Sequence, residues 1–150
     1  MSKPDRSYHP GQLVPSFFVD SVETERTFYI ERLGFAHRMG IVGRDGHLDF
    51  CIVTREASMI MFARPQERRD GTAERYPTPR PLELYIRIED VDAYHADVTR
   101  RGAAIEHPLT DQWWGDRNFA VRDPYGYRIW FNQTVLAFEE VRPPAGVTIV

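Results

Sequence analysis

The side chains best suited to chemistry lie in the second half of the chain and suit binding better than bond-making. Trp113, Trp114 and Trp130 offer flat π-faces for stacking or for attracting a cation, contacts worth roughly 0.5–2 kcal/mol each. Glu83, with Asp111 and Asp116 as further acids, can pair with a ligand amine, and Tyr85 and Asn132 can orient polar groups by hydrogen bonds. Arg87 and Arg117 suit a carboxylate or phosphate instead, so the charge of a ligand stays open. Met61 adds an adaptable apolar wall. The order of residues suggests no Ser-His-Asp or Cys-His arrangement and no glycine-rich phosphate loop.

Strand alternation would bring most of these groups to one surface. In Leu82–Ile88, Leu82, Leu84, Ile86 and Ile88 point one way, and Glu83, Tyr85 and Arg87 the other. In Arg128–Gln133 the same rule buries Ile129 and Phe131 and leaves Arg128, Trp130 and Asn132 on the open side. In Ser58–Phe62, Met59 and Met61 oppose Ile60 and Phe62, and the pattern leaves undecided which pair faces the opening. Asp123-Pro124-Tyr125-Gly126 is turn chemistry, with Pro fixing φ and Gly allowing a positive one. Arg117 beside Asp116 reads as a structural pair, and Glu83 has Arg87 or Arg128 as possible ion-pair partners.

These strands belong to a repeated pattern with an offset of about 68 positions. Leu13–Val19 is an apolar strand, Val22–Leu33 an amphipathic helix capped by Asp20 or Ser21, and Gly34 its stop. Leu82–Ile88, a helix over Val91–Arg101 capped by Asp90, and Gly102 repeat the series. Val22, Tyr29, Ile30 and Leu33 share a face of the first helix, as do Val91, Tyr94 and Val98 of the second. Strands at Phe35–Val42, His47–Val53 and Ser58–Phe62 follow in the first half, with a Gly43-Arg44-Asp45-Gly46 turn between the first two. A short strand at Ala103–Glu106, then Asn118–Arg122 and Arg128–Gln133, follow in the second. The expected fold is α+β: two βαβββ modules forming one curved mixed sheet with a concave trough. The boundaries are an arm over 1–12, module one over 13–62, a polar linker over 63–81, module two over 82–133, and a tail over 134–150. Val135–Phe138 of that tail can dock, and Pro143-Pro144 breaks any helix.

At 150 residues, 42% hydrophobic and 27% charged, the chain suits one compact soluble domain. A net charge of −3 with scattered Lys and Arg argues against nucleic-acid binding. The lone Cys51 excludes an internal disulfide and a CxxC zinc motif, and its apolar surroundings make it a core residue. A polar start and the absence of a long apolar run point to the cytoplasm, with no membrane partner.

The series Val14-Pro15, Phe28-Tyr29, Leu33-Gly34-Phe35, Asp90-Val91-Asp92, Arg101-Gly102-Ala103 and Trp114-Gly115-Asp116-Arg117-Asn118-Phe119-Ala120-Val121-Arg122-Asp123-Pro124-Tyr125-Gly126-Tyr127 resembles the vicinal oxygen chelate superfamily of glyoxalase I, bleomycin-resistance proteins and extradiol dioxygenases. The resemblance covers roughly Leu13 to Gln133. It implies paired modules around a cleft, usually in a homodimer. Enzymes of that group hold a divalent metal on His and Glu, and the four matching positions here carry or adjoin Pro15, Met61, Glu83 and Trp130. One donor in four does not suit a cation that needs several N or O atoms at about 2.0–2.2 Å. Of the five histidines, His9 lies in the arm and His95 on a helix facing solvent, so a regrouped site would need two of His37, His47 and His107, near strand ends, together with Glu83.

That departure resembles the bleomycin-resistance branch, whose members sequester a drug in an aromatic trough. The expectation is therefore metal-independent sequestration of a small aromatic or cationic molecule such as a bleomycin-family antibiotic, by a cytoplasmic homodimer without a cofactor. The ligand-binding set is Met61, Glu83, Tyr85, Arg87, Trp113, Trp114, Arg117, Trp130 and Asn132. The rival is a metal-dependent glyoxalase, dioxygenase or isomerase on the same scaffold, and a third reading is a sensory binding module.

Overall fold

The computed structural model describes residues 11–65 and 82–150. The arm over 1–10 and most of the linker, including the Glu67-Arg68-Arg69-Asp70 run, lie outside the described residues. Two βαβββ modules follow one another: β1 Ser16–Phe18, α1 Val22–Leu33, β2 Ala36–Val42, β3 Leu48–Arg55 and β4 Ser58–Ala63, then β5 Glu83–Arg87, α2 Val91–Arg100, β6 Ile105–Asp111, β7 Asp116–Arg122 and β8 Arg128–Thr134. Their sheets run β1-β4-β3-β2 and β5-β8-β7-β6. In each, the strand before the helix lies parallel to the last strand of its module.

Both helices start and stop where local chemistry demands. The Ser21 hydroxyl accepts from the Thr24 N–H and the Asp90 carboxylate from the Ala93 N–H, so each satisfies a free donor of the first turn. Gly34 ends α1 at φ 72°, a left-handed geometry that costs glycine little. The apolar faces of both helices meet the inner faces of their sheets in one core that includes Tyr29, Leu33, Phe62, Val98, Phe119 and Phe131.

The modules share that core. Tyr94 donates its hydroxyl to the Leu33 carbonyl at 2.7 Å, the Tyr125 hydroxyl accepts from the Ser21 N–H at 2.9 Å, and the Tyr127 ring lies 4.2 Å from that of Phe17. The Asp-Pro-Tyr-Gly turn thus works at the junction. Its Asp123 carboxylate accepts from the Tyr125 and Tyr127 N–H groups at 2.9 Å and faces Glu25 of α1. Burial, helped by the nearby Asp123 charge, pushes Glu25 up to about 11, so it is a neutral acid in the core.

Four expectations need adjustment. The first strand shortens from Leu13–Val19 to Ser16–Phe18, the residues in register with β4, with Pro15 and Val19 adding one backbone hydrogen bond each at its ends. The short strand over Ala103–Glu106 becomes β6, running to Asp111 through Pro108; a sheet edge tolerates the missing N–H there. Glu25 takes a buried place on α1, while Ile30 is only half-buried. His95 packs edge-on against Phe119 at 5.0 Å instead of facing solvent. No helix among the described residues is long and apolar enough to cross a membrane.

Candidate ligand-binding site

The open face of module two, turned away from α2, is built in rows by strand register. Glu83, Arg128 and Arg122 are successive partners across β5, β8 and β7. Tyr85, Trp130, Ala120 and His107 form the next row, from β5 to β6. Asn132 and Asn118 pair across the third, beside Arg87, and Thr134 and Asp116 pair at the far end.

The second row is the aromatic one. Ala120 carries only a methyl group, so the Trp130 ring can reach over it to stack on His107, with centroids 4.9 Å apart and planes 27° apart. Tyr85 stands on the other side of Trp130 and is half exposed. The indole N–H of Trp130 donates to Glu83 at 3.0 Å, which fixes the ring's orientation.

The charged side chains flanking this row are closed on one another. Arg128 bridges Glu83 at 2.6 Å and Glu106 at 3.2 Å, and Arg122 binds Glu106 at 2.7 Å. The Arg128 and Arg122 guanidiniums hold Glu106 below the ordinary glutamate pKa. At the opposite end Asp116 accepts from the Tyr85 hydroxyl at 2.7 Å, Arg87 at 2.8 Å and the Thr134 hydroxyl at 3.1 Å. Burial alone would raise the Asp116 carboxyl, but the Tyr85 hydroxyl and the Arg87 guanidinium outweigh it and bring it below its usual value.

The tryptophan pair forms the tip of the β6–β7 hairpin. Trp113 and Trp114 meet edge to face at 5.7 Å, and the Trp114 N–H reaches the Tyr85 hydroxyl at 3.4 Å. Gln112 anchors the hairpin by donating to the Asn118 side-chain carbonyl at 3.0 Å. The tail holds it from behind: the Gly115 carbonyl accepts from the Val135 and Leu136 N–H groups at 2.9 and 3.1 Å, and Val141 is buried against Gly115. Docking of the tail therefore runs through backbone and Val141, while Phe138 stays 71% exposed.

Of the residues singled out in the sequence, Glu83, Tyr85, Arg87, Trp130 and Asn132 share this face, with Trp114 touching Tyr85 and Trp113 beside it. Asn132 is fully covered there, its amide N–H donating to the Ile86 carbonyl at 3.3 Å. Met61 lies in the other sheet, paired with Ser16 and Ile52. Ile60 and Phe62 belong to the core, so Met59 and Met61 are the pair on the open side of module one. Arg117 alternates to the helix side of β7, where it binds Asp92 and Asp111 instead of its neighbour Asp116. Glu83 pairs with Arg128 and not with Arg87. A groove of about 450 Å³ at the seam of the modules is lined by Leu13, Pro15, Met59, Glu83, Tyr85 and Arg87, among others. His107 and Glu106 are additions to the face: reading β6 as a short strand hid the fact that it runs alongside Ala120. Arg122 joins them, on β7, as the partner of Glu106.

A divalent metal does not fit the expected donor positions. Pro15 and Met61 offer no suitable donor, and the Trp130 ring nitrogen is itself a donor to Glu83, whose carboxylate Arg128 also binds. Among the described residues no group of three or more His, Cys, Asp or Glu side chains is placed to hold a metal ion. Cys51 is buried, which pushes its thiol up to about 11, away from a nucleophile's range.

Paired βαβββ modules, each with an open sheet face, define a protein of the glyoxalase and bleomycin-resistance fold class. The model of the Glyoxalase/Bleomycin resistance protein/Dioxygenase superfamily matches residues 11–131, and the chain belongs to that superfamily. The uncharacterized protein Rv0887c of Mycobacterium tuberculosis is 27% identical over 126 residues, covering 82% of this chain and 74% of that protein. Among solved structures, TioX from Micromonospora sp. ML1 aligns with a TM-score of 0.67 at 21% identity, covering 82% of this chain and 98% of its own. TnmS3, an antibiotic binding protein from Streptomyces sp. CB03234, aligns with a TM-score of 0.59 at 27% identity, covering 81% and 93%.

Proposed function

We propose that this protein binds and sequesters a small aromatic or cationic molecule, of the bleomycin-resistance kind, without a metal and without making or breaking a bond. The observation that carries the reading is the row Tyr85–Trp130–His107 on the open face of module two, where Trp130 stacks on His107 and Tyr85 is its register partner on β5. Trp113 and Trp114 stand at its edge, and the seam groove lies alongside Tyr85. The groups around the row are engaged in holding one another rather than poised to transfer protons. Antibiotic binding by TnmS3, similar over 81% of this chain, supports the same reading.

The working form in this proposal is a cytoplasmic homodimer. The open face of module one leaves Phe18, Met39 and Ile41 exposed, apolar surface that a second copy can cover. Calorimetry and tryptophan quenching against bleomycin-family and polycyclic aromatic antibiotics test the function. The expected result is saturable binding with the compound recovered unchanged by mass spectrometry. Failure of every such compound to bind, or its chemical conversion, would remove the assignment.

A further inference from the structure

The charges beside the aromatic row cancel. Glu83 and Glu106 face Arg128 and Arg122, and Asp116 faces Arg87, so three carboxylates meet three guanidiniums within hydrogen-bond distance. A charged ligand lying on Trp130 would have to break one of these pairs or be desolvated without a counter-charge, and both are costly. The third row makes a different demand. Asn118 and Asn132 are buried side by side on β7 and β8; the Asn132 amide oxygen makes no hydrogen bond among the described residues, and the Asn118 amide nitrogen makes none of normal length, its nearest counterpart being the Tyr85 hydroxyl. Buried polar groups of this kind are usually satisfied. Here an acceptor and a donor stand next to each other beside Trp130 and Tyr85, covered from above by Gln112 and the tryptophan hairpin.

We propose that the site selects an uncharged, planar, fused-ring ligand whose edge carries an N–H beside a C=O, as in a lactam, read by Asn132 and Asn118 while the rings stack on Trp130. The inference rests on the sequestration reading and deepens it by choosing among ligand classes. Trp130 supplies area without regard to charge. The closed ion pairs reject a net charge, and the two amides reject an edge lacking a donor and an acceptor. To reach the two amides the ligand must displace the Tyr85 ring from Asp116 and the Gln112 side chain from Asn118, exchanging those hydrogen bonds for its own.

Four probes of nearly one shape separate these contributions. Phenanthridinone is a neutral lactam, N-methylphenanthridinone has its donor capped, N-methylphenanthridinium is a cation, and phenanthrene-9-carboxylate is an anion. Each is titrated into the full-length protein by tryptophan quenching and calorimetry. Phenanthridinone should bind at least about tenfold more tightly than each of the others, because a site built around hydrogen bonds discriminates strongly against a ligand that leaves them unmade. Its affinity should change less than about twofold between low and high salt, since no net charge is exchanged. Asn132→Leu, close in volume, should weaken phenanthridinone by about tenfold. The capped-donor probe asks the same question of the unaltered protein. Equal or tighter binding of the cation or the anion overturns this inference and leaves sequestration standing. So does equal binding of the capped lactam. Binding of none of the four overturns this inference, while the antibiotic titrations decide sequestration separately; undiminished binding to Trp130→Ala places the probe elsewhere and also overturns the inference.

Discussion

Tyr85 and Trp130 are register partners on β5 and β8 whose polar tips turn in opposite directions. The Trp130 N–H goes to Glu83 at 3.0 Å, and the Tyr85 hydroxyl goes to Asp116 at 2.7 Å. Each ring is thereby held by a carboxylate that is itself held by an arginine, Arg128 for Glu83 and Arg87 for Asp116. The Trp130 ring, the stacking surface, is thus preorganised and has little rotamer freedom to lose when a ligand lands on it.

Trp130→Ala should therefore weaken binding of an aromatic ligand by about 10- to 100-fold, as expected for the central anchor of a site. The fold should persist, because Trp130 is only partly buried and lies outside the main core. Calorimetry for affinity and far-ultraviolet circular dichroism for fold check the two halves of this expectation.

The Glu25 carboxyl gives the protein an unusual dependence of stability on pH. Its folded pKa, about 11, lies above its unfolded value, so the folded state holds a proton that the unfolded state releases once the pH passes the ordinary glutamate range. For an acid shifted upward, the folded state is relatively best at low pH and loses stability as pH rises from about 4.5 toward 11. Glu25→Gln, uncharged at every pH and able to donate to Asp123, should remove most of that slope. Thermal melts across pH 5.5 to 8.5, a window of about three units inside the shifted range, should show the wild type falling. The variant should stay flatter and melt higher at the alkaline end.

Gly115 ties the tryptophan hairpin to the tail. Its φ is 97°, and an added Cβ would lie 3.1 Å from Val141 and 3.2 Å from the Leu136 carbonyl oxygen. Gly115→Ala should cost about 1–3 kcal/mol through backbone strain and crowding. It should also loosen the edge-to-face Trp113–Trp114 pair. Near-ultraviolet circular dichroism, compared with the melting midpoint, checks both effects.

The fold was largely legible because period-two alternation, capping residues and glycine stops agree along both modules: Ser21, Asp90 and Gly34 bound their helices as their chemistry requires. The site was legible in part for the same reason. Glu83, Tyr85 and Arg87 share a face by alternation alone, and so do Trp130 and Asn132. What alternation cannot supply is the partner across the sheet. Arg117 looked like a mate for Asp116 by adjacency, yet adjacent strand residues point to opposite faces, and each found its counter-charge elsewhere. His107 was hidden by Pro108, which argues against a strand unless the strand is known to be an edge. The Glu25–Asp123 contact spans the module junction and leaves no local trace.

Metal-free binding on the aromatic row can be read by titrating phenanthridinone into chelator-treated protein, before and after adding back Zn²⁺, Mn²⁺ or Fe²⁺. Affinity should be the same in every sample, and binding should be lost in Trp130→Ala. Binding, or chemical change of the compound, that appears only when a metal is restored would contradict metal-free binding.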